Sequence, residues 1–130
     1  GAVDYVSEVE HMTRKSPIWR SFCLRWPVRV ATAAGEFQLA EAFLDGSQHA
    51  SAWDGCARPT ALAILAEGRG RLDDAAMLYR EAAERWERYG SVVERGYALL
   101  GLGRGDAKAL REGEAIFAGL GASPVVAQAA

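Results

Sequence analysis

Glycine recurs at Gly35, Gly70 and Gly105, a constant interval of thirty-five residues, and an alanine-containing helical pattern follows each one. A period of that length points to helix pairs stacked in series, because one pair alone leaves an apolar face uncovered. The clearest pattern lies between Gly70 and Gly90. Leu72, Ala75, Ala76, Tyr79, Ala82, Ala83, Trp86 and Tyr89 advance in steps of three and four, so they share one helical face. Asp73 and Asp74 stand in the first turn and Arg85 and Arg88 in the last, the placement that the helix dipole favours. Glu81 with Arg85, and Glu84 with Arg88, are (i, i+4) pairs worth a few tenths of a kcal/mol each.

The other expected elements are punctuated by caps and breakers. His11-Met12 is the pair a common cloning site leaves behind, so residues 1–15 read as an N-terminal extension, its first eleven residues vector-derived or native. Val3, Tyr5, Val6 and Val9 could still form a short docking helix. Ser16-Pro17 is a helix start, and the pattern from Ile18 to Ala34 predicts a helix kinked or broken at Pro27, with Arg20, Arg25 and Arg29 mostly on the outer face. A shorter helix covers 36–45 and stops at Gly46-Ser47. Residues 48–58 read as a loop with no more than one helical turn, in which Trp53 needs a packing role.

A helix from Pro59 to Gly68 then forms a hairpin with the 70–90 helix. Ser91 caps the next, whose end is expected to fray through Gly101, Gly103 and Gly105. The last full helix opens at Asp106 or Ala107 and stops at Gly119–Gly121. Ser123-Pro124 repeats the start signal, so 122–130 reads as the start of a further helix or a tail.

The units GEFQLAEAFL, GRLDDAAMLY and GDAKALREGEAIF resemble the tetratricopeptide repeat, and the resemblance spans residues 17–120. It implies an all-α fold, a right-handed superhelix of about three antiparallel helix pairs, with 16–121 as the repeat domain. Carried over position by position, the middle unit matches at Leu62, Ala63, Ala66, Gly70, Ala75, Tyr79 and Ala82, with Trp86 on the same helical face. The first keeps Ala31, Gly35, Ala40 and Leu44 but has Pro27 and Ser47 at consensus positions. The third keeps Tyr97, Ala98, Gly101 and Gly105 but has Leu110 where a small residue belongs. The run from Leu65 to Arg104, with EAIFAGLGASP after it, is also similar to the helical repeat region of large bacterial signalling proteins that carry ATPase, cyclase or helix-turn-helix modules.

Half the residues are hydrophobic and a quarter charged, and the net charge is −2, which fits one soluble domain and supplies no basic excess for nucleic acid. No long apolar run or leader supports a membrane span or a signal peptide, so the expected compartment is the cytoplasm. Cys23 and Cys56 read as buried free thiols. His11 and His49 have no metal-ligand spacing to each other or to a cysteine. No nucleophile has a base nearby, and GLGRGD follows a helix and lacks the lysine of a phosphate loop. Trp19, Trp26, Trp53 and Trp86 fit core stripes. No metal, cofactor or enzymatic activity is therefore expected.

What remains is a surface. In the repeat family the first helix of each pair lines a concave groove, and the matching positions are Phe22, Arg25, Arg29, Thr32, Thr60, Ile64, Glu67, Arg95, Leu99 and Leu102. The resemblance implies a scaffold for a peptide or helix of a protein partner, with acidic character suited to the arginines. The alternative is a homodimerisation module that closes an uncapped end.

Overall fold

A computed structural model describes residues 1–47 and 51–121. Among these the chain is entirely helical. The elements are α1 (Ala2–Thr13), α2 (Pro17–Phe22), α3 (Arg25–Ala33), α4 (Phe37–Asp45), α5 (Ala52–Gly68), α6 (Leu72–Tyr89), α7 (Val92–Leu102) and α8 (Ala107–Gly119). Four of them begin under a side-chain cap: Ser16, Ser51, Ser91 and Asp106 accept from the amides of Trp19, Asp54, Glu94 and Ala109.

The first two turns of the thirty-five-residue period are the same object. Gly35 and Gly70 both take a φ of 76°. At the first, Gly35 N–H reaches Thr32 O and Glu36 N–H reaches Ala31 O; at the second, Gly70 reaches Glu67 and Arg71 reaches Ala66. This double closure of a helix end needs a left-handed residue that only glycine adopts cheaply. A Cβ at Gly35, Gly70 or Gly105 would meet nothing within 4 Å, so no neighbouring helix packs closely on these glycines. Gly105 is not left-handed either; its turn rests on the Asp106 cap.

Cross-contacts fix the helix directions. Ser21 on α2 binds Asp54, and Thr32 on α3 lies against Gly68, so the α2–α3 stretch runs alongside α5 in the same sense. α4 runs against α5, with Leu44 beside Arg58 and Glu41 beside Arg69. Each of the next pairs, α5 with α6, α6 with α7 and α7 with α8, is antiparallel, shown by Thr60 with Trp86, Tyr79 with Gly101 and Gly96 with Phe117. The core is one apolar cluster running from Val6 to Ala109, around Leu24, Val28, Phe43, Ile64, Tyr79 and Trp86. A smaller cluster of Leu100 and Phe117 joins α7 to α8.

Two proline expectations need correction. The break in the first long helix falls at Cys23–Leu24 rather than at Pro27, which sits in the first turn of α3, where a missing N–H costs little. Trp26 N–H occupies the Cys23 carbonyl instead. More surprising is Pro59, which lies inside α5, so the 48–58 segment expected as a loop is helical from Ala52. Proline cannot donate to the carbonyl of Gly55, four residues earlier. Arg85 Nη1 donates to it at 3.1 Å from α6.

Some side chains also face differently from expectation. Arg20 and Arg25 are 8% exposed, not outward. Arg20 donates to Ser47 Oγ and Phe43 O and lies over the Phe43 ring. Trp19 is 63% exposed rather than core, and Leu62, Leu72 and Tyr89 are also exposed. Ala40, Ala63, Ala75, Tyr79, Ala82 and Trp86 are buried, with Ala66 and Tyr97 half-buried. α1 docks on the body through Val6 and Val9. The segment 122–130 lies outside the described residues.

Candidate functional site

The expected groove positions do not share one surface: Arg95, Leu99 and Leu102 on α7 face a hollow lined by α6 and α8, and most of the others are closed. Thr32, Thr60, Ile64, Leu99 and Leu102 are buried, as is Arg25. Thr60 accepts from Trp86 Nε1 at 3.0 Å and donates to Cys56 O. Arg25 pairs with Glu94 at 3.3 Å and stacks over Tyr97 at 3.9 Å, joining α3 to α7. These six are packing contacts and do not form the open groove expected of them. Phe22 is 44% exposed but sits in an aromatic chain with Trp19 and Trp53. Arg95, half-buried, pairs with Glu87 and Glu112 away from α3.

A polar network links Glu67 on α5, Tyr79 on α6 and Arg104 just past α7. Arg104 grips Glu67 with Nε and Nη2, both at 2.5 Å, a bidentate geometry. The Tyr79 hydroxyl donates to Glu67 at 3.1 Å and accepts from Arg104 at 3.2 Å. Burial, reinforced by the Glu67 carboxylate, pushes the Tyr79 phenol up to about 12. The hydrogen bonds to Glu67 hold Arg104 above its ordinary value. The sequence assigned Tyr79 to packing and Arg104 to a loose helix end. Nothing in local spacing could have paired Arg104 with a glutamate thirty-seven residues earlier.

Arg29 faces the same network without sharing in it. Its Nε is buried and has no hydrogen-bond partner among the described residues, and the Thr32 hydroxyl, one turn along α3, is in the same condition. Burial lowers the Arg29 pKa; Tyr79 and Glu67 oppose that shift, while Arg25 and Arg104 add to it. Around this point stand Arg25, Arg29 and Arg104 against Glu67 and Glu94, three positive charges to two negative. Glu67 is already spent on Arg104 and Tyr79. The arrangement can therefore accept one more negative charge.

Among the described residues no group of His, Cys, Asp and Glu could hold a metal ion, and no helix is long and apolar enough to cross a membrane. His11 is exposed on α1, and His49 lies outside the described residues. Cys56 is a buried free thiol that donates to Arg85 O, while Cys23 is only half-buried. No protein-family model, curated protein or solved structure matches the chain.

Proposed function

We propose that this chain is a non-enzymatic, cytoplasmic protein-interaction scaffold, a tetratricopeptide-like superhelical repeat module of a bacterial signalling or regulatory protein. Its inner face captures an acidic segment of a partner protein, and Arg29 is the residue presented to the partner's carboxylate. One observation carries this reading: the buried Arg29 Nε and the Thr32 hydroxyl have no hydrogen-bond partner among the described residues, beside a network with one uncompensated positive charge. Keeping a cation out of water without a counter-charge is costly, and a ligand carboxylate would offset that cost.

The test is a fluorescence-polarisation titration with a hexaglutamate peptide, with hexaglutamine as control. Saturable binding of the first alone, lost in Arg29→Gln, is expected. Equal binding of both peptides, or full retention in Arg29→Gln, would overturn the reading. Arg25→Glu is a poor probe, since it sets two carboxylates together in a buried contact.

A second reading, self-association, is favoured by a different observation. Trp19, Phe22, Trp53 and Tyr89 form a continuous aromatic chain with ring centroids 4.6–6.0 Å apart. Trp19 is 63% exposed and Tyr89 46%. Light scattering over a wide concentration range decides it: a dimer that Trp19→Ser dissolves supports self-association, and a monomer throughout removes it.

A further inference from the structure

The opposite side of α5 carries a second surface. Arg58, Leu62, Leu65 and Arg69 lie about half a turn away from Thr60, Ile64 and Glu67 on the same helix. There α4 and α6, both antiparallel to α5, form the walls of a cleft of about 910 Å³ floored by α5. Leu44, Leu62, Leu65, Ala66, Met77 and Leu78 supply its apolar lining. Met77 is 68% exposed and Leu62 38%, so the lining is open to solvent.

We propose that this cleft seats an amphipathic helix of a partner protein, its apolar stripe on Leu62 and Met77 and its flanks basic. The form of the occupant follows from the walls. Two helices running in one direction make a straight trough along their axes, which suits a helix. No strand edge exists among the described residues to pair with an extended peptide, and the lining has no aromatic ring to clasp a polyproline segment.

The sign of the flanks follows from the rim. Arg69 is consumed by Glu41, and Arg58 by Asp54 and the Leu44 carbonyl. Arg85, just outside, engages Glu81 and the Gly55 carbonyl. Asp45 on α4 and Asp74 on α6 make no hydrogen bond or ion pair among the described residues, and Arg71 is the one rim cation in that state. The rim thus has two uncommitted anions to one cation, and lysine or arginine on the incoming helix would complement them.

The experiment uses two synthetic helices with the same leucine stripe, one flanked by lysine and one by glutamate, titrated calorimetrically into the whole chain. The lysine helix should bind at least tenfold more tightly. Leu62→Asn/Met77→Gln should weaken it at least tenfold, and Asp45→Lys/Asp74→Lys should transfer the preference to the glutamate helix. Arg29→Gln should leave lysine-helix binding intact, which separates this surface from the inner face. A glutamate helix that binds as tightly as the lysine one overturns the charge assignment. Failure of both helices to bind, or a dimer of the chain that Leu62→Asn/Met77→Gln dissolves, overturns the occupant.

Discussion

Alkaline destabilisation should run through Tyr79. The folded phenol ionises near 12 instead of its ordinary 10.0, first because it is buried and then because it faces and donates to the Glu67 carboxylate. Below pH 10 both folded and unfolded chains keep the proton, and the contribution is fully present. Between pH 10 and pH 12 the unfolded chain sheds it while the folded chain does not. Stability then falls by about 1.4 kcal/mol per pH unit, a loss of about 3 kcal/mol across the window. Against a total of about 5–15 kcal/mol for a domain, that is large enough to read in unfolding midpoints.

Desolvation also pushes the thiols of half-buried Cys23 and buried Cys56 up from 9.0, so they add a loss of the same sign that begins at lower pH. The comparison must therefore be between the intact chain and Tyr79→Phe, which share both thiols. At neutral pH the variant loses one donated and one accepted hydrogen bond, at a cost of about 1–3 kcal/mol. Above pH 10 its stability should fall less steeply than that of the parent. Urea unfolding at a series of pH values, followed alongside tyrosinate absorbance, measures both. An equal loss in parent and variant between pH 10 and pH 12 would refute the assignment.

Removing the donor that serves Pro59 should be visible in a cycle. Arg85→Met strips the Gly55 carbonyl and should cost about 1–3 kcal/mol, whereas adding Pro59→Ala supplies an amide in its place and should recover most of the loss; thermal unfolding of the four chains reads the coupling. Gly101→Ala should cost about 1–3 kcal/mol in the same assay, because a Cβ there would overlap the buried Tyr79 ring and the gain in helix propensity is smaller. Gly55→Ala should instead stabilise by about 0.5–1 kcal/mol, since its Cβ would meet only Arg85 Nη1 at 3.7 Å.

Features written within a few residues of one another could be read from the sequence. Ser16, Ser91 and Asp106 cap where their chemistry places them, and Gly35, Gly70 and Gly90 take the left-handed conformation that ends helices. On α6 the expected face is buried through Ala75, Tyr79, Ala82, Ala83 and Trp86, and fails only at its ends, where Leu72 and Tyr89 lie exposed. What could not be read depends on distant partners. Pro59 breaks a helix by local rules, and only Arg85, on the next helix, overrides them. Arg25 looks like a surface cation until Glu94, sixty-nine residues on, draws it inward. The same distance effect dispersed the expected groove: Thr32, Thr60, Ile64, Leu99 and Leu102 are buried in packing, Arg25, Glu67 and Arg95 are engaged in ion pairs, Phe22 joins an aromatic chain, and Arg29 is left with an unpartnered Nε.

The cleft, by contrast, is a consequence of helix length. α5 and α6 have 17 and 18 residues and α4 has 9, so α4 spans about 13 Å beside neighbours of about 25 Å. A short wall leaves the far side of α5 open. What keeps α4 short is an arrangement of arginines: Arg20 takes the Phe43 carbonyl, Arg58 takes the Leu44 carbonyl, and the Ser47 hydroxyl turns back onto Phe43. These carbonyls at the helix end are satisfied from the side, which removes the need for another turn. The network around Glu67 and Arg29 and the cleft therefore lie on opposite sides of α5. The first follows from a charge count around Arg29, the second from where α4 stops, and a substitution that disturbs one need not touch the other.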